Sequence, residues 1–431
     1  MVNLPPAKHN HHILNFPEDF LWGAATSAHQ VEGNNVNNQW WNWEQNLPEQ
    51  YRSGETADQY HRFKEDFDLA KEFGHNAHRL SIEWSRIEPF EGKFDQFEID
   101  HYREVFKALR QRGMKIMLTL HHFTDPLWIT KIGGWQNGKT PFYFNRFVSR
   151  VVKEYKEYID LWITINEPGI YTWGGYLDGR FPPGQKSIWK ALLVTLNLAA
   201  AHRKAYKTIH KIIPSAKVGM AQNVVSFGAQ QSHSILQHVL VWLHDIAYNH
   251  FFYILTPHAH DFLGLNYYFH ERIGVLHGRK LPQLLDASLT KKDVSDMGWE
   301  LYPEGIFDAL RDLAGFKLPI YITENGLAST NDDRRCRFLI SYLKEIYHAI
   351  ESGVDVKGYF HWSLTDNFEW ADGFKPRFGL IGIDYNTKQR IPRLSAQVYK
   401  SVIKHNGIPH HLMRFIGHTV NAKEVLEKMK T

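Results

Sequence analysis

What most narrows the fold is an alternation, repeated eight times, of a short apolar run with a longer stretch of helical character. The strand-like runs fall at 21–25, 77–81, 115–120, 161–165, 216–221, 261–266, 320–323 and 356–361. Between them, apolar residues recur at 3.6-residue spacing over 59–73, 102–112, 142–158, 188–213, 234–253 and 333–352. Strand-helix units in series favour a parallel sheet covered by helices, and eight is the number that closes a barrel. The expectation is an α/β chain forming a single (β/α)8 TIM barrel. An open doubly wound sheet is the competing arrangement. It needs a glycine-rich phosphate turn after its first strand, which Trp22-Gly23-Ala24-Ala25-Thr26 does not supply.

The length of 431 residues would ordinarily suggest two or three domains, at about 150 residues each. Barrels with insertions exceed about 400 residues as one unit. The whole chain, 1–431, is therefore read as one domain, with a barrel core over 16–406 and a C-terminal extension over 407–431. A further helix is expected near 422–430.

Polar residues gather where the strands end. They are Gln30 beyond the first, Arg79 in the second and His121-His122 after the third. Asn166-Glu167 end the fourth, Asn266-Tyr267-Tyr268 the sixth and Glu324-Asn325 the seventh. Trp362 ends the eighth, with Glu369-Trp370 just beyond. Any one could be a satisfied core group, but seven strands doing so together is hard to obtain from packing. In a barrel these ends converge on the C-terminal face, where active sites lie.

Composition excludes several classes. Net charge is +4 with Lys and Arg scattered, so no basic stripe argues for nucleic acid. The single Cys336 rules out an intramolecular disulfide or a cysteine metal site. No window approaches 18 consecutive apolar residues, and 1–19 lacks the apolar core of a secretory signal. The reading is a cytoplasmic protein with no membrane partner, the formation of a homo-oligomer being left open. The 14 Trp fit either a large core or a sugar-stacking cleft.

Thr164-Ile165-Asn166-Glu167-Pro168 and Ile322-Thr323-Glu324-Asn325-Gly326 share one design: an apolar strand delivers a Glu, and Pro or Gly breaks the chain into a loop. On the fourth and seventh strands the two glutamates face each other across the barrel mouth. Paired carboxylates across a sugar-sized gap suit glycoside hydrolysis, one protonating the leaving oxygen and the other serving the anomeric carbon. Capping or salt-bridged glutamates would give the same local pattern.

With these motifs the chain resembles the β-glucosidase family, glycoside hydrolase family 1, along nearly its whole length. The matching segments begin with Phe20-Leu21-Trp22-Gly23-Ala24-Ala25-Thr26-Ser27, Gln30 and Arg79-Leu80-Ser81-Ile82-Glu83-Trp84-Ser85-Arg86. They continue through the two glutamate motifs, Leu265-Asn266-Tyr267-Tyr268, Trp362-Ser363-Leu364 and Asn367-Phe368-Glu369-Trp370. The resemblance implies a retaining enzyme that releases a terminal β-D-glucosyl residue, with galactosides or fucosides as alternatives, from a small carbohydrate substrate without a cofactor. It implies Glu167 as general acid/base and Glu324 as nucleophile, with Arg79, Asn266 and Tyr268 supporting the nucleophile. Asn166 would bond the sugar 2-OH, and Gln30, His122, Trp362, Glu369 and Trp370 would form the sugar pocket. Acidic Glu369 implies unphosphorylated sugars, tempered by nearby Lys375 and Arg377.

Some features depart from the family or mislead. Phe123 stands where many members carry Trp, and the segments 31–58 and 234–261 are short, which is expected to alter the rim of the cleft. Gly133-Gly134-Trp135-Gln136-Asn137-Gly138-Lys139-Thr140 fits a phosphate-loop pattern but lacks its strand-helix context and meets Pro141. The 26 histidines form no metal motif, so no metal is expected. A non-catalytic sugar-binding barrel and a metal-dependent hydrolase are the readings from other classes.

Overall fold

The computed structural model describes residues 13–230, 233–273 and 293–416. Eight parallel strands close into a barrel in chain order. They are β1 (Leu21–Ala25), β2 (Ala77–Ser81), β3 (Lys115–Thr119) and β4 (Leu161–Asn166), then β5 (Val218–Ala229), β6 (Phe262–Ile273), β7 (Ile320–Asn325) and β8 (Val356–Trp362). Closure pairs Leu21 with Gly358 and Ala25 with Trp362. A helix follows each strand: α1 (Gln59–Glu72), α2 (Gln96–Gln111), α3 (Thr140–Tyr155) and α4 (Ile188–Ile212), then α5 (Ile235–Asp245), α6 (Glu304–Leu313), α7 (Asp332–Glu351) and α8 (Leu394–His405).

Apolar residues fall into two layers. Met117, Ile163, Ala221, Phe262 and Phe360 belong to a cluster that fills the barrel, as closed eight-stranded barrels require. A larger cluster packs the outer faces of the strands against the helices. Helix starts are fixed locally: the side chains of Asp95, Ser234 and Asn331 accept from backbone amides one turn on.

The observed elements differ from the sequence expectation in instructive ways. β5 and β6 run well beyond the barrel rim as a paired ribbon, from Gly219↔Phe262 to Ala229↔Ile273. The expected helix over 234–253 divides into α5, a π-turn at Ile246–His250 and a short helix at Phe251–Leu255. The cause is Asn249, whose side chain takes both the N–H and the carbonyl of Val225 and widens the turn. Helices α6 and α8 were not singled out by periodicity.

At the closed end, Gly407–Pro409 pairs antiparallel with Ile13–Asn15, and Leu412 and Phe415 are buried. The expected extension over 407–431 therefore packs onto the barrel in its first part. The helix expected near 422–430 lies outside the described residues. Among the described residues no helix is long and apolar enough to cross a membrane.

Candidate active site

The strand ends converge as expected. Gln30, His122, Asn166, Glu167, Tyr268, Glu324, Trp362, Glu369 and Trp370 all line one open cleft of about 760 Å³ at the C-terminal face of the barrel. Arg79 and Asn266, the remaining two residues singled out from sequence, are fully buried and bonded to both glutamates' surroundings.

Glu167 follows β4 with φ +42°, in the left-handed region that side chains other than glycine rarely adopt. Pro168 then starts a short helix, a position suited to its fixed φ. Phe123 (φ +70°) and Trp370 (φ +48°) share the left-handed conformation, so three residues of one cleft sit in a costly backbone state. The Glu167 carboxylate accepts from the amides of Asn266 at 2.8 Å and Asn223 at 3.2 Å. Burial, reinforced by the charge of Glu324, pushes its pKa up to about 8.

Glu324 has different neighbours. Its Oε1 accepts from Arg79 Nη1 at 2.5 Å, and its Oε2 from the Tyr268 hydroxyl at 2.9 Å. Burial raises this carboxyl too, but the guanidinium and the phenol oppose it. Glu167 has no cation in bonding contact, so of the pair Glu324 is the one held ionised. Asn266, expected beside the nucleophile, donates to Glu167 at 2.8 Å and to Asn166 Oδ1 at 3.1 Å and accepts from the hydroxyl of Thr323, and its amide favours the ionised form of Glu324.

Asn166 Oδ1 accepts from Arg79 at 2.6 Å and from Asn266 at 3.1 Å, which fixes the direction of its amide. That amide lies 3.3 Å from His122 Nε2. Burial lowers the pKa of His122 well below the usual histidine range, so the ring is neutral and carries its proton on Nδ1. Nδ1 is buried with no protein partner, and so is Gln30 Oε1. The cleft therefore holds an unpaired donor and an unpaired acceptor, the pattern that reads ligand hydroxyls. Gln30 donates to Asn367, Phe368 and Glu369. His122 lies between Trp362 and Trp370, with interplanar angles of 17° and 16°. Burial and the charges of Asp372, Glu324 and Glu167 hold Glu369 well above the carboxylate range.

Sequence reasoning missed several contributors. Asn223 lies within β5, the one strand read as having no polar end. The adjacent amides Gln222-Asn223 inside an apolar run were the available signal. Trp40, from the short first loop, packs behind Trp370 at 4.8 Å, so that loop supports the floor of the cleft and does more than shape the rim. Phe123 meets the edge of Trp370 at 5.2 Å. Ile170, Trp173, Phe181, Phe269, Met297 and Trp299 give the remaining walls an apolar character.

The phosphate-loop look-alike forms a 3-10 turn at Gly134–Gln136, with Trp135 buried and donating to Asp125. Arg377 is engaged by Asp366, and Lys375 is exposed. Among the described residues, one group of three side chains has metal-ligand spacing: Asp245, His250 and Asp312, none of which lines the cleft.

Comparison with known proteins agrees with this geometry. The chain matches the sequence model of Glycosyl hydrolase family 1 over residues 12–240 and 244–408. It is 30% identical to a "Beta-galactosidase" of Pyrococcus woesei, over 91% of this chain and 98% of the relative. It is 32% identical to "Beta-glucosidase A" of Acetivibrio thermocellus, over 91% and 99% respectively. A solved β-glycosidase from Pyrococcus horikoshii superposes with a TM-score of 0.87 at 36% identity, covering 94% of this chain and 99% of that one. A family 1 β-glucosidase from Thermotoga maritima does so with 0.85 at 28% identity, covering 92% and 99%. The barrel, the two facing glutamates and the match along the chain lead to one conclusion: this protein belongs to glycosyl hydrolase family 1.

Proposed function

We propose that the protein is a retaining β-glycosidase of the β-glucosidase type, releasing a terminal β-D-glucosyl residue by double displacement within a single catalytic domain. Glu324, held ionised by Arg79 and Tyr268, attacks the anomeric carbon while Glu167, protonated below about pH 8, protonates the leaving oxygen. Water, deprotonated by Glu167, then releases the sugar from Glu324.

The observation that carries this reading is the unequal setting of the two carboxylates. Glu324 is bonded by the Arg79 guanidinium and the Tyr268 hydroxyl, whereas Glu167 accepts from amides alone and has its pKa pushed up to about 8 by burial and by the charge of Glu324.

Trp362 and Trp370 supply flat apolar faces for the sugar ring, and His122 Nδ1 and Gln30 Oε1 supply its hydroxyl partners. The cleft presents Glu369 and Asp372 to the sugar, and nearby Arg377 is engaged by Asp366, which favours an unphosphorylated substrate. The apolar remaining walls favour an aryl or alkyl aglycone.

A 2-deoxy-2-fluoro-β-glucoside tests the assignment, because it slows release of the intermediate. Mass spectrometry should find the label on the peptide containing Glu324, and NMR should show a β-configured first product. An α-configured product, or labelling elsewhere, removes the proposal.

A further inference from the structure

Helix α5 is unlike every other helix of the ring. The others bury an apolar stripe, whereas the buried residue of α5 is Gln237. Ile235, Leu236, Val239, Trp242 and Leu243 point outward, Ile235 at 82% and Trp242 at 59% exposure. The first turns of neighbouring α4 do the same with Ile188, Trp189, Leu192, Leu193 and Leu196, Trp189 at 78%. These side chains expose on the order of several hundred Å² of apolar surface on each helix, the size of patch that on a monomer marks an interaction site.

This face is a fixed part of the structure. His250 bridges Asp245 at 3.1 Å and Asp312 at 2.6 Å, and Asn249 holds Asp245 at 2.7 Å. Arg203 of α4 donates to the carbonyl of Leu255, which ends the short helix Phe251–Leu255 that follows α5 and the π-turn.

The face also stands at the rim of the cleft. β5 continues six residues past Asn223, the partner of Glu167, which is roughly 20 Å at strand rise. α5 then returns over roughly 16 Å. Its apolar side chains therefore lie at and above the level of the carboxylates, and Ile188 and Trp189 open α4 at the same end of the barrel.

Charge selects the occupant. Between Asp178 and Asp245 the sequence has no acidic residue and eight Lys or Arg. The apolar residues of α4 are flanked by exposed Lys186 and Lys190 on one side and by exposed Lys204, Lys207 and Lys211 on the other. A two-fold contact with a second copy would set these cations against themselves. An anionic lipid layer offers apolar depth to the Trp, Leu and Ile side chains and phosphates to the lysines.

We propose that the α4–α5 face seats the enzyme on an anionic lipid surface, with the mouth of the cleft opening beside the headgroups. The contact is peripheral and needs no spanning helix.

Flotation of the full chain with vesicles tests this. The protein should float with phosphatidylcholine–phosphatidylglycerol vesicles, much less with phosphatidylcholine alone, and be released by high salt. Replacing Trp189, Trp242 and Leu243 with Ser should abolish flotation while hydrolysis of a water-soluble chromogenic glucoside stays unchanged. Lys204→Glu with Lys207→Glu should weaken binding about tenfold or more.

Failure to float overturns the proposal. If the wild type is then a dimer that the Ser variants dissociate, a second copy covers the face. If it is a monomer with Trp189 and Trp242 shielded from an aqueous quencher, a segment of the chain itself does. Equal flotation with neutral and anionic vesicles overturns the assignment of the lysines.

Discussion

Arg79 holds Glu324 at 2.5 Å with one guanidinium nitrogen and, with the other, holds Asn166 at 2.6 Å. A buried cation thereby ties the ionised carboxylate to the amide expected to meet the sugar. Removing it should harm chemistry and fold together. Arg79→Met should lose roughly 3–5 kcal/mol of stability, the range for breaking a buried pair, and most of kcat/KM. Arg79→Lys keeps the charge without the fork and should retain more stability than activity. Thermal melts beside steady-state kinetics check both, and equal losses in the two variants would argue against the fork.

The two glutamates should fail differently. Glu324→Ala should lower turnover by several orders of magnitude on every substrate, with azide restoring part of it and giving an α-azide product. Glu167→Gln should lose roughly 10²–10⁴ on alkyl glucosides and far less on dinitrophenyl glucoside, whose leaving group needs no proton. A comparison of kcat/KM across leaving groups decides, and a uniform loss in Glu167→Gln would count against its role as acid.

The pH profile of kcat/KM should be bell-shaped, its limbs belonging to the coupled pair. Glu167 must be protonated, so activity is lost as pH rises through about 8. Glu324 must be ionised, so activity is also lost at acid pH, above the ordinary carboxylate value because burial raises it. The Asn223 amide favours ionised Glu167. Asn223→Ala should therefore move the alkaline limb upward; an unmoved limb would show that this hydrogen bond is not felt.

Stability should also depend on pH through Glu83, which is buried between Asn35 and Thr124 with a pKa pushed up to about 8. Its folded value lies above its unfolded value, so the folded state binds more protons between roughly pH 4.5 and 8. Its contribution is present below that window and is lost as pH rises through it. Glu83→Gln should thus melt higher than wild type at pH 8 and gain little or nothing at pH 5.

A methyl group at position 326 offers a geometric test. A Cβ on Gly326 would lie 1.8 Å from the Trp362 carbonyl oxygen, so the loop after Glu324 or the Trp362 platform must move. Gly326→Ala should lower kcat/KM by roughly 100-fold, the order expected for a displacement near 1 Å. An unchanged value would mean the loop relaxes without cost.

The barrel was legible because its strands carry the same signal eight times, and β1 and β2 have the expected bounds. The glutamates were legible because a carboxylate at the end of an apolar strand is conspicuous. Asn223 was not, since the ladder with β6 continues past it and leaves no strand end to notice. Nor was the division of labour at Asn266, whose partners come from β4 and β7 and are set by register alone. Trp299 reaches the cleft from a loop and Trp40 backs Trp370 from the short helix Gln39–Glu44, segments too short or irregular for periodicity to give a direction. The apolar face of α5 has the composition of a core helix, so its exposure could be learned only from its packing.

Barrel closure has a consequence for synthesis. β1 finds its second neighbour only in β8, and within the cleft Gln30 donates to Glu369. At about 5–20 residues per second, a ribosome that has delivered Gln30 needs tens of seconds to supply its partner. During that interval the first strand has an open edge and Arg79 lacks its anion. Premature termination anywhere before the eighth strand leaves an open sheet and a site without Trp362, Glu369 and Trp370, so the molecule completes its fold and its pocket together, near the end of translation.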